Sequence, residues 1–190
     1  MLTNSNRKLG RKMWNFNIPR STCMYKTTYC DEFCYAAKGS FNFPVVKNSM
    51  ARNLEETKSE AFVRMMSVQI HTLKIKWVRI HACGDYYSQE YIDKWLDIAA
   101  NCPETKFLSY TRNYEADFSL IPSNFVVYYS IDKETKCHNP TLSLESNAFD
   151  TDEKFQHMAL TPHGFVCNSK CKICKACWAG KIDIFFPVRH

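Results

Sequence analysis

Three cysteines fall within twelve residues in the stretch Cys23-Met-Tyr-Lys-Thr-Thr-Tyr-Cys30-Asp-Glu-Phe-Cys34. Thiolates from one loop can hold three corners of a cubane iron–sulfur cluster and leave the fourth iron for a substrate, a cofactor or a distant ligand. A redox-inert structural site normally closes its shell instead. A second set reads Cys167-Asn-Ser-Lys-Cys171-Lys-Ile-Cys174-Lys-Ala-Cys177-Trp178. Four ligands in so short a run force the chain to wrap around whatever it binds. Zinc ribbons more often split their ligands into two distant pairs. The run therefore suits a second cubane, with zinc as the alternative. Lys170, Lys172 and Lys175 interleave with these thiols and either offset a cluster's negative charge or are ordinary solvated lysines.

Ten cysteines in 190 residues are too many for chance. The longest apolar runs fall short of the roughly 18 residues a membrane helix needs, and no signal peptide is evident. The expected setting is cytoplasmic, where clustered thiols point to metal or catalysis rather than disulfides. Net charge is +6, from 25 basic and 19 acidic residues, which permits an anionic partner without demanding one. Part of it lies in Arg7-Lys8-Leu9-Gly10-Arg11-Lys12, read as a solvated arm. An apolar fraction of 45% and a charged fraction of 23% are those of a globular protein with one core.

These cysteines need a scaffold. Met13–Ile18 reads as a first strand, stopped by Pro19. Apolar residues from Leu54 to Leu73 recur every three or four positions and predict one long helix over 49–73. Trp77-Val-Arg-Ile-His-Ala-Cys-Gly84-Asp85 reads as a second strand, with Val78, Ile80 and Ala82 on one side and Arg79, His81 and Cys83 on the other. Ser88 caps the next helix, which buries Tyr91, Ile92, Trp95, Leu96 and Ala99 and stops near Pro103. Lys106–Arg112 and Phe125–Ile131 are the third and fourth strands, and Phe155–Leu160 is a candidate fifth. Strand and helix alternate, which favours a parallel sheet with the site beyond the carboxyl ends of its strands. The expected fold is α/β, a partial parallel β/α barrel with a C-terminal cysteine-rich cluster-binding segment. Residues 1–12 form the arm, 13–160 the core and 161–190 the metal-binding segment.

The expected site collects the residues that follow those strands. His81, Asp85 and Arg112 are the candidate catalytic groups; Tyr35, Arg79, Gly84, Asp85 and Ser130 are the candidate cofactor-binding groups. Cys23, Cys30, Cys34, Cys167, Cys171, Cys174 and Cys177 are the candidate metal ligands. Each has a plainer reading. A histidine in a strand is often a satisfied core residue, a buried Cys83 behaves as a small hydrophobe, and Asp85 after a glycine can simply end a strand. Tyr35 packs around a cluster and keeps it dry. Tyr110, Tyr128 and Tyr129 suit half-buried strands. His138, His157 and His163 form no zinc pattern, and Cys102 and Cys137 receive no role.

With these pieces placed, the chain resembles a small radical S-adenosylmethionine (SAM) protein. More closely, it is similar to the phage-associated "gene product 88" family. The motifs are Thr22-Cys23, Cys34-Tyr35-Ala36, Arg79-Ile80-His81-Ala82-Cys83-Gly84-Asp85 and the run Cys167–Trp178. The spacing of the first cysteines, six and then three intervening residues, departs from the usual three and then two, so the backbone takes a different path around a cluster. The resemblance implies a [4Fe–4S] cluster on Cys23, Cys30 and Cys34, with the SAM amine and carboxylate on the fourth iron and Gly84-Asp85 at the methionyl amine. One electron would then split the sulfonium into methionine and a 5′-deoxyadenosyl radical, and the second cluster would relay electrons or anchor substrate. It also implies a reductant such as a flavodoxin or ferredoxin. Two other readings stand beside it: a zinc- or cluster-stabilised nucleic-acid-binding module, and a two-cluster electron-transfer protein.

Overall fold

The computed structural model describes residues 1–4, 12–149, 164–169, 171 and 173–187. The candidate strand Phe155–Leu160, His157, His163, Lys170, Lys172 and most of the basic arm lie outside them. Eight strands form one open sheet: β1 (Thr3–Asn4), β2 (Trp14–Phe16), β3 (Trp77–Ile80), β4 (Lys106–Thr111), β5 (Phe125–Ile131), β6 (Glu145–Phe149), β7 (Phe165–Val166) and β8 (Ile184–Pro187). Their spatial order is β1-β2-β3-β4-β5-β6-β8-β7, and every pairing except β1–β2 is parallel. From β2 to β6 the sheet follows chain order, so each connection advances one place the same way. The fold is mixed α/β, as the alternation of strand and helix signals predicts.

Between β2 and β3 lie α1 (Thr28–Glu32), α2 (Pro44–Lys58) and α3 (Phe62–Thr72); α4 (Gln89–Asn101) connects β3 to β4. The single helix expected over 49–73 is two helices. Pro44 occupies the first turn of α2, where its missing N–H costs nothing. Ser59 is extended, and its hydroxyl accepts from the Ala61 N–H at 3.1 Å, a local bond that competes with helix continuation. The apolar period survives the break, because α3 buries Phe62, Met66 and Ile70. Ser88 caps α4 as expected, accepting from Tyr91 N at 3.2 Å.

Period-two alternation gives the sheet two apolar faces. Phe107, Phe125 and Val127 join Phe62, Met66, Ile92 and Trp95 in the helix-side core. Trp95 is fully buried and meets Phe16 and Phe62 edge-on at 5.2 and 5.6 Å. Burying each such side chain contributes about 1.5–3 kcal/mol. The alternate residues Leu108, Val126 and Tyr128 pack in a second cluster with Cys167, Trp178 and Ile184. Described parts of the C-terminal cysteine segment, with α5 (Ala176–Ala179), therefore cover the face opposite α3 and α4.

Candidate functional site

The loop after β3 is laid against the root of the first cysteine loop. His81 N donates to Phe16 O at 2.9 Å, and Ile18 N to Cys83 O at 3.2 Å. Asn17 Oδ1 accepts from Ala82 N and Cys83 N at 2.7 and 3.1 Å. Gly84 is required here. Its φ is +90°, and a Cβ would sit 2.4 Å from Ile18 Cγ1 and 2.8 Å from Ile18 O. The strict alternation expected through Cys83 ends at Ile80, because His81 takes φ +60° and turns the chain. Thr27 caps α1 by accepting from Cys30 N at 2.9 Å, which fixes the middle cysteine.

Asp85 ties three loops together. Its Oδ1 accepts from Tyr86 N and Thr111 Oγ1, each at 2.7 Å, and its Oδ2 from Arg112 N at 2.9 Å. Asp85 N donates to Thr22 Oγ1 at 3.1 Å. Burial raises its pKa to about 6, although these donors oppose the shift. Arg112, a candidate catalytic group, pairs within the chain with buried Asp132 at 2.8 Å. Thr27 Oγ1 donates to the same carboxylate at 2.6 Å. Burial raises the Cys30 thiol, while the Arg112 charge and its hydrogen bond to the sulfur oppose that rise. His81 is buried, and burial lowers its pKa to about 3, so it is neutral near pH 7. Its Nε2 meets the Tyr91 hydroxyl at 2.8 Å, and Nδ1 is buried without a partner.

All seven cysteines of the two runs line one cavity of about 730 Å³, together with Cys83. Every candidate catalytic and cofactor-binding residue borders it too: Tyr35, Arg79, His81, Gly84, Asp85, Arg112 and Ser130. Tyr35 is partly open to solvent, its ring meets Phe41 at 5.9 Å, and its hydroxyl donates to Ala82 O at 2.6 Å. Ser130 and Ser146 share a hydrogen bond of 2.9 Å across β5 and β6. Arg79 lies 5.3 Å from the Tyr110 ring centre, with Tyr35, Cys171 and Cys177 also in its electrostatic surroundings. Its Nε is buried without a partner, and among the described residues it pairs with no carboxylate. Burial drives Cys23 far above the usual thiol range, with Asp85 and Cys83 adding to it. Burial also raises Cys177, against a hydrogen bond donated by the Tyr110 hydroxyl. Among the described residues, no three of His, Cys, Asp and Glu converge as a single metal ion requires.

The second cysteine segment is pinned through aromatic contacts. Trp178 meets Trp77 edge-on at 5.0 Å, and Lys175 Nζ lies 4.9 Å from the Trp77 ring centre. Gly180 closes α5 at φ +59°, with a would-be Cβ 3.0 Å from Val126. Cys167 N donates to Phe185 O at 2.8 Å, anchoring the run to β8. Arg20 escaped the sequence reading. It pairs with Asp31, and Cys23, Cys34 and Cys83 share its electrostatic surroundings. A basic residue three positions before Cys23 was its only signal. Cys102 is buried and Cys137 exposed, and neither borders the cavity. His138 pairs with Glu145 at 3.0 Å.

No helix among the described residues is long and apolar enough to cross a membrane. No curated protein and no solved structure matches the chain. A family model described as "Gene product 88" matches residues 1–148, a span that contains the first cysteine loop, Cys83-Gly84-Asp85 and β2 to β5 and stops before the second cysteine run. The chain belongs to the gene product 88 family.

Proposed function

We propose that this protein is an iron–sulfur enzyme resembling radical SAM proteins. In this reading Cys23, Cys30 and Cys34 hold a [4Fe–4S] cluster, and Cys167, Cys171, Cys174 and Cys177 hold a second. The observation that carries it is the meeting of both thiol sets on one cavity at the carboxyl ends of parallel strands. The donor set fits. In a cubane each thiolate bonds its own iron, so the sulfurs need not converge on one point. Among the described residues Arg79 pairs with no carboxylate, so its cation is available to an anionic thiolate cluster.

When bound, a reduced cluster with an open iron supplies one electron to a chelated SAM. The chain's residues orient and shield that chemistry. Asp85 already accepts three hydrogen bonds, so its first duty is to hold the loops; it borders the cavity, and Oδ2, with a single donor, would accept from a methionyl ammonium. Tyr35, Phe33 and Phe41 border the cavity beside Cys34 and limit water. A flavodoxin or ferredoxin is the class of electron donor.

The test is a count of iron, acid-labile sulfide and zinc per chain in anaerobically purified protein. About eight irons with matching sulfide indicate two cubanes. About four irons and one zinc leave the first site as proposed and make the second structural. Zinc without sulfide overturns the reading and favours a metal-stabilised binding module.

A further inference from the structure

We infer that Cys83 is the fourth thiol ligand of the first cluster in the resting protein, held where an entering small molecule would otherwise coordinate. This rests on the iron–sulfur reading and deepens it. Cys83 belongs to neither cysteine run, yet it borders the same cavity. It is 4% exposed and packs with Ala36 and Met50, with Cys34 against the same cluster. Cys34 and Arg20 act on its thiol electrostatically, and Cys83 in turn acts on Cys23. Arg20 brings a positive charge close to Cys23, Cys34 and Cys83.

The position of the sulfur is fixed from several sides. Asn17 Oδ1 holds Cys83 N, Ile18 N holds Cys83 O, and Thr22 Oγ1 holds Asp85 N. Gly84 permits this close approach, since any Cβ would meet Ile18. The turn that carries Cys83 is thus bonded to the very segment that leads into Cys23. On cluster binding the Cys83 thiol loses its proton to solvent and its sulfur bonds the fourth iron. A chelating amine and carboxylate displace that sulfur, which takes a proton back.

The test uses full-length, anaerobically purified protein, treated with stoichiometric ferricyanide. An iron held by cysteine resists oxidative loss, whereas an iron without a protein ligand leaves and yields a three-iron cluster with its own paramagnetic signal. Wild type is expected to keep its iron. Cys83→Ala is expected to lose about one iron per chain and to show the three-iron signal. Cys102→Ala, a buried thiol outside the cavity, serves as control and is expected to behave as wild type. Ready formation of the three-iron signal in wild type overturns the inference, whether or not Cys83→Ala folds. Equal iron retention by wild type and a folded Cys83→Ala, judged by circular dichroism, overturns it as well. Wild type without iron and sulfide instead overturns the broader iron–sulfur reading, so the two failures are distinguishable.

Discussion

At the residue scale, Asp85 shows how a motif acid can be structural and poised at once. Its carboxyl titrates near pH 6 in the fold against about 3.9 in the unfolded chain. The folded protein holds the proton more tightly, so this group favours folding most below about pH 4. That contribution declines as pH rises and is lost above about pH 6. The shift corresponds to about 3 kcal/mol. Asp85→Asn has no such titration. The stability of wild type relative to Asp85→Asn should therefore fall by about 2 kcal/mol between pH 4 and pH 6.5, as read by urea unfolding across that range. A difference that stays flat would contradict the buried, proton-retaining carboxyl described here. His81 shifts the other way and stays neutral down to about pH 3, which suits a hydrogen-bonding role rather than a general acid at neutral pH.

At the element scale, the turn after β3 is the joint of the site. Gly84→Ala must hold φ +90° with a Cβ and must also move Ile18, whose backbone carbonyl cannot yield cheaply. We expect a loss of at least about 2 kcal/mol in urea unfolding, from backbone strain and overpacking together. On the opposite face, Trp178→Ala should cost about 3 kcal/mol and free the second cysteine segment. Tryptic cleavage at Lys175 and Lys181 should then accelerate at least about tenfold, since cleavage follows local opening; an unchanged rate would show that the segment is held by something other than the Trp77–Trp178 contact. These elements were unevenly legible. β4 and β5 announce themselves by alternation and β-rich residues, and α4 by its Ser88 cap. β6 reads Glu-Ser-Asn-Ala-Phe, with no branched residue to mark a period of two. β8 reads as an apolar tail, because its pairing with β6 and β7 is what makes it a strand. The α2–α3 break carries neither glycine nor proline and depends on one serine hydroxyl.

At the scale of the whole molecule, sequence spacing picks out both thiol sets and the loops at the carboxyl ends of the strands. It does not reveal that the sets share one cavity, because that depends on the C-terminal chain crossing back over the sheet face opposite the helices. It also could not pair Arg112 with Asp132, twenty positions apart but brought side by side by β4 and β5. The architecture places half-buried Arg79 amid Tyr35 of the first loop and Cys171 and Cys177 of the second run. The most direct test of SAM binding at the fourth iron of the first cluster is electron paramagnetic resonance of the dithionite-reduced protein with and without SAM. The account predicts that SAM alters the signal of one cluster and leaves the other unchanged. Iron-loaded protein whose spectrum does not respond to SAM would contradict SAM binding at the first cluster and turn the reading toward electron transfer.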